Sequence, residues 1–217
     1  MSESRTAGPV TIAAAVVLSV LVIGLLVAGF FVGEHPNRAL EGPIGTHDVA
    51  TVRRLIAAGG DDGHVGPFEV QRAAMALTPS DPRSVEVFRL VLEQPTASPA
   101  AAFGDPPPTP ANMTLTARDG GGDVSGDTSP AEIAARRGSA DGLRVLLDLG
   151  LDVKSVAAAS ALVHAAANGC EPCVTVLLDA GVDANGRDRN GDTAIAMARR
   201  VGNGGLAELL IRRGARE

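Results

Sequence analysis

From Val10 to Val32 the chain runs for 23 residues without a charged side chain, its most polar members being Thr11 and Ser19. Beyond that run, apolar positions recur at helical spacing instead of in one long block. Val145, Leu146 and Leu149 form one such set, and Val174, Leu177 and Leu178 another. Each set makes a single apolar stripe on a helix, the pattern of a helix with one buried face. Gly150, Gly181 and Gly214 fall just after these stretches, where a left-handed closing residue is cheapest as glycine.

The stripes belong to a larger repeat. Three copies begin at Ser129 (SPAEIAARRG), Ser160 (SALVHAAANG) and Thr193 (TAIAMARRVG), offset by 31 and then 33 residues. Each has paired glycines 12 residues apart: Gly138/Gly150, Gly169/Gly181 and Gly202/Gly214. A period near 33 with two short helices per unit predicts an all-α helix-turn-helix solenoid. The small residues Ala134, Ala135, Ala165, Ala166 and Ala198 let neighbouring first helices approach closely.

These copies resemble the ankyrin repeat. Ser129-Pro130, the Ala-Ala pairs at 134–135 and 165–166, and Leu-Leu at 146–147, 177–178 and 209–210 match its pattern. So do Gly214-Ala215 and the run Asp183-Ala184-Asn185, Asp188, Asn190-Gly191, Thr193, which is similar to the family's inter-repeat hairpin. The departures are His164, where an apolar residue is usual, and Ala161 and Ala194, which stand where the first copy has Pro130. The resemblance implies a stack that binds protein partners through hairpin tips and the inner side of the first helices.

Two further units are expected upstream, both atypical. His47–Asp61 reads as a second helix and its exit, with a first helix drawn from Arg38–Gly45, where Gly42-Pro43 interrupts the pattern. Pro67–Leu77 and Pro82–Glu93 form the other pair, with Val85, Phe88, Leu90, Val91 and Leu92 as its apolar set. Between these and the clear copies lies a stretch rich in Pro and Gly, including Pro106-Pro107-Pro108 and Gly120-Gly121-Gly122. It offers too little apolar surface to offset its ordering entropy and reads as a flexible insertion. The expected organisation is a tail (1–9), a transmembrane helix (10–32), degenerate repeats (33–97), the insertion (98–126) and three clear repeats (127–217). That makes four to five repeats in all.

As a helix, residues 10–32 would be roughly 35 Å long, enough to cross a hydrocarbon core of about 30 Å with tilt. A cleaved signal peptide has a core of about 7 to 15 apolar residues, so the expectation is an uncleaved single-pass anchor. Arg5 on one side and Arg38, opposed by Glu34 and Glu41, on the other give no positive-inside bias. The lean toward repeats outside the cytoplasm rests only on the habit of amino-terminal signal anchors. Of 19 Lys and Arg residues only Lys154 is a lysine, a coding bias that suggests a GC-rich bacterial source and hence a bacterial inner membrane.

Charge narrows the partners. Residues 33–217 carry 18 Arg plus Lys against 24 Asp plus Glu, the opposite of what phosphate backbones attract. Trp and Tyr are absent, and only Phe68, Phe88 and Phe103 lie outside the apolar run, so no base-stacking platform is on offer. Nucleic acid is excluded as a partner, and no small-molecule substrate is evident.

Candidate chemistry is sparse. Cys170-Glu171-Pro172-Cys173 is a CxxC at a helix start, which can lower a thiol pKa and support disulfide exchange. A membrane-tethered thiol oxidoreductase is therefore the alternative function. Against it, Pro172 suits a first helical turn, and Cys173 continues the stripe of Val174 and Leu177 as a free, small hydrophobe. His47-Asp48 with Asp61-Asp62 and His64 fits no metal-ligand spacing. Gly120–Gly122 lacks the lysine and helix of a phosphate loop, and Asn112-Met113-Thr114 is a glycosylation sequon only in a eukaryotic secretory setting. His164, on an Ala-rich helix, is expected to be packed or hydrogen-bonded. No catalytic, metal or cofactor residues are assigned. The expected function is non-catalytic protein binding, as a scaffold or an inhibitor or immunity-type binder. Its candidate contact residues are Arg187, Asp188, Arg189 and Asn190 at one tip, with Lys154 and Ser155 one repeat earlier.

Overall fold

Helix start signals explain most of the observed elements. In the computed structural model, which describes residues 38–59, 65–94 and 128–216, ten helices are found among the described residues. They are α1 (Arg38–Gly45), α2 (Val49–Ala58), α3 (Pro67–Met75), α4 (Pro82–Leu92), α5 (Pro130–Arg136), α6 (Ala140–Asp148), α7 (Val156–Ala167), α8 (Glu171–Asp179), α9 (Ala194–Arg200) and α10 (Gly204–Arg212). Asp48, Asp81, Ser129, Ser139, Thr193 and Asn203 each accept a backbone N–H from the first turn of the helix that follows. Caps of this kind are worth about 1 kcal/mol each. No strand is present among the described residues; an isolated antiparallel bridge joins Arg187 to Thr193.

The helices pair in sequence, α1 with α2 through α9 with α10, and the pairs stack. First helices touch in the order α1, α3, α5, α7, α9, and second helices in the order α2, α4, α6, α8. The core lies between the two rows. Phe88, Leu146, Leu162, Leu177 and Leu210 are fully buried in it. Close approach of the first helices is possible because Ala134, Ala135, Ala165 and Ala166 are themselves fully buried.

The upstream pairs keep the same register as the clear copies. Arg53 pairs with Glu86 33 residues on, and His47 bonds to Asp81 34 residues on. In the clear repeats Asn168 reaches the Ala135 carbonyl 33 residues back, and Arg213 pairs with Asp179 across 34. Arg89 pairs with Asp148 across 59 residues, so α4 and α6 neighbour one another despite the long intervening segment. Exposed ion pairs such as Arg53–Glu86 add little stability; their value here is that they report register.

Three expectations change. Gly42-Pro43 does not interrupt a helix: α1 runs through Pro43 because Leu40 and Ile44, one turn apart, are both fully buried. The burial of that face outweighs the cost of an interior proline in so short a helix. In the second clear copy, read as beginning at Ser160, the first helix starts earlier, at Val156, and Ser160 sits buried inside α7. Ser155 is its cap, its Oγ accepting from Ala158 N at 3.2 Å. Third, Cys170 and Cys173 are joined by a disulfide and are not free thiols.

The glycine expectation holds at the second-helix exits, where Gly150, Gly181 and Gly214 have φ of 89°, 93° and 95°. Residues 10–32, expected to span a membrane, and the insertion 98–126 lie outside the described residues, as do Asp61, Asp62, His64, Asn112 and Gly120–Gly122. Among the described residues no helix is long and apolar enough to cross a membrane.

Candidate interaction surface

The tip between α8 and α9 is a tightly bonded hairpin. Asp183 accepts from Asn185 N at 2.9 Å and opens the turn. Asp188 is 8% exposed and holds the loop together. Its carboxylate accepts from Asn190 N and Asp192 N, each at 2.9 Å, and from Asn190 Nδ2 at 3.3 Å. Arg187 donates to the Gly191 carbonyl at 2.6 Å, and Arg200 of α9 pairs with Asp192 at 2.7 Å. Gly186 has no room for a side chain, since an added Cβ would lie 2.9 Å from Ala159 Cβ at the start of α7. The hairpin is thus clamped onto the repeat before it.

Arg189 leans from this hairpin toward α5. Its Nη2 lies 3.9 Å from Glu132 Oε1. Glu132 is buried, and its other oxygen accepts from Thr128 Oγ1 at 2.7 Å. Oε1 itself has no hydrogen bond. His164 of α7, partly buried, has its Nε2 3.1 Å from Arg136 Nη2 of α5. A guanidinium can only donate, so Nε2 is the acceptor and the imidazole is neutral in this arrangement. Burial and then the Arg136 charge push the His164 pKa below its ordinary value; Glu132 and Asp188 pull the other way.

That shift sets a sign. Above the unfolded value of 6.5 the imidazole is neutral in both states and contributes nothing. As pH falls through that value the unfolded chain takes the proton first, so folded stability declines until the lower folded pKa is passed. Urea titrations across this interval should show that loss in the wild type and its absence in His164→Gln, which still offers Arg136 an acceptor. Equal pH dependence in the two proteins would contradict the assigned acceptor role.

Of the six candidate contact residues, Arg187, Arg189 and Asn190 are exposed at the tip, and Asp188 is an internal strut of it. Lys154 is exposed, but its segment is no hairpin. Lys154 N donates to Asp152 Oδ1, and Ser155 Oγ donates to the Asp152 carbonyl at 2.6 Å while capping α7. Arg136 and His164 were not among the expected contacts, yet they adjoin the Arg189 tip through Glu132.

Cys173 is fully buried, as its place on the stripe implied, and Cys170 is partly exposed. Cys170 Sγ accepts from Cys173 N at 3.3 Å, taking the cap position that Ser139 and Asn203 hold on the neighbouring second helices. His47, a residue weighed as a metal ligand, instead lies between Asp81 Oδ2 at 2.8 Å and the Ala76 carbonyl at 2.9 Å. Its bond, with a backbone N–H from Arg83, holds the Asp81 carboxyl below its usual range. Among the described residues no group of three or more His, Cys, Asp or Glu is placed to hold a metal ion.

Residues 131–216 match the family model for ankyrin repeats, in three copies. The matched span covers the hairpins from α5 to α10, including Glu132, Arg136, His164 and the Arg187–Asn190 tip. No curated protein matches the chain. Ankyrin repeats generally mediate protein–protein interaction and are typically non-catalytic. Within the matched repeats, the Arg187–Asn190 tip lies between α8 and α9, and the Arg136–His164 pair joins the first helices α5 and α7.

Proposed function

We propose that this protein is a membrane-anchored ankyrin-repeat binder of another protein, acting as a scaffold or inhibitor without catalysis of its own. The observation that carries the reading is the three-copy ankyrin match over a tip whose arginines are exposed while its acid is turned inward. The uncharged run Val10–Val32 supports a single-pass anchor, and the 33- and 34-residue contacts of α1–α4 support reading those helices as two degenerate repeats of the same array.

The full chain in non-ionic detergent, used as bait, should retain a protein that mass spectrometry identifies and that binds again as a purified pair. Arg187→Ala with Arg189→Ala should weaken that purified pair about tenfold, since charge-assisted bonds from arginine are worth about 1.5–3 kcal/mol. Helicity should be unchanged. An unaltered affinity removes the tip from the reading. A reporter fused after Glu217 fixes which side of the membrane the repeats occupy.

A further inference from the structure

The first helices of the ankyrin repeats carry an unbalanced charge arrangement. Two basic side chains, Arg136 and His164, touch at 3.1 Å with no acid bonded between them. Arg189 reaches Glu132, one turn before Arg136 on the same helix, at 3.9 Å. The acids of this region are turned inward: Glu132 is buried beneath the surface, and Asp188 accepts three hydrogen bonds inside its own loop. The chain as a whole is negative, at −6, yet what solvent meets here is the guanidinium of Arg136, the imidazole edge and Arg189.

We propose that Arg136 and His164 together receive a carboxylate side chain from an acidic segment of the partner protein, with Arg189 facing the same segment, and that His164 takes up a proton as the carboxylate arrives. This rests on the protein-binding reading above and names the chemistry of its occupant.

Without an anion, a protonated His164 would face the Arg136 charge at contact distance and would lose the hydrogen bond it accepts from Arg136. A carboxylate set against both groups changes this. Arg136 transfers its donor N–H to the incoming oxygen, His164 becomes an imidazolium that donates from Nε2 to the second oxygen, and the proton comes from solvent. Arg189, with Glu132 beneath it, adds a second guanidinium within reach of the same segment. The groups that face His164 from its surroundings are Glu132 and Arg136 of α5 and Asp188 of the hairpin. On α9, packed on the other side, the charged residues are Arg199 and Arg200, the latter held by Asp192.

The test uses the full chain in non-ionic detergent and a fluorescent ten-residue peptide rich in glutamate, with a lysine-rich peptide as control. Anisotropy should show binding of the acidic peptide alone. Binding should be several-fold tighter at about pH 5.5 than at about pH 8, because the imidazolium that the carboxylate requires forms more readily as pH falls. Calorimetry in two buffers of different ionisation heat should register proton uptake. Arg136→Gln should weaken binding about tenfold, and His164→Gln should bind with little pH dependence and no proton uptake. Equal binding of both peptides, an unaffected Arg136→Gln, or the same pH profile in His164→Gln would each overturn the proposal. If the identified partner still binds while the acidic peptide does not, protein binding stands and the carboxylate site falls. If neither binds, the protein-binding reading fails first.

Discussion

Replacing Phe88 by alanine is expected to destabilise the upstream half of the stack by about 3–5 kcal/mol, the usual cost of truncating a buried phenylalanine. Phe88 is fully buried in α4, which packs on α2, α3 and α6. For a domain whose whole stability is about 5–15 kcal/mol this is a large share. In a linear array each unit depends on its immediate neighbours, so the damage should be local. Three stacked units are about the minimum for a stable array, and α5–α10 supply three. Limited proteolysis of Phe88→Ala should therefore release residues 38–94 while a fragment covering 128–216 survives, and circular dichroism should show two transitions. Melting like the wild type would mean that α1–α4 are not packed as described. Loss of all helicity in one step would mean that the ankyrin repeats cannot stand without them.

That experiment tests the part of the molecule least visible in its sequence. The clear copies were legible because their glycines, alanines and paired leucines recur at fixed offsets, and each type answers one packing need. α3 and α4 were legible from their apolar sets although little of the repeat pattern survives in them. α1 was half legible: its span was read correctly, but the cost of Pro43 was overweighted because the burial of Leu40 and Ile44 depends on α3, which a local reading does not contain. The repeat pattern does not show where α7 starts, four residues before the Ser160 that opens the second copy. Ser155 and Ser160 are both acceptable caps, and the choice is made by Asp152, whose carbonyl accepts from Ser155 Oγ and so holds it as the cap.

The interaction surface was legible only at its tip. Arg187 and Arg189 stood out as charges in a hairpin motif, whereas Asp188 looked equally available and proves to be a strut. Arg136 and His164 are 28 residues apart, one repeat less roughly a helical turn, a spacing that places them on adjacent first helices. The repeat period holds that information, but it shows most plainly in the recurring glycines, alanines and leucines. Glu132 and Arg189 come from repeats further apart, and their proximity follows from the lean of the hairpin, which has no signature in the sequence.

Leu177 carries the second large expectation. It is fully buried in α8, whose hairpin is flanked on both sides, by α5/α6 and by α9/α10. Leu177→Ala should cost about 2–5 kcal/mol, toward the upper end because packing on both sides restricts collapse of the cavity. Leu210, equally buried, lies in α10, for which the described residues provide a neighbouring hairpin on one side only. Leu210→Ala removes the same atoms but leaves a site freer to relax, so its cost should be smaller. The consequence differs in kind as well. Loss of α8 packing separates α9/α10 from α5/α6, and with them Arg189 from Glu132 and His164 from its supports. Hydrogen exchange should then show protection lost through α9 and α10 in Leu177→Ala, whereas Leu210→Ala should leave α7 and α8 protected. A Leu177→Ala protein no less stable than Leu210→Ala would argue against the stacked arrangement, because two-sided packing is what distinguishes the two positions.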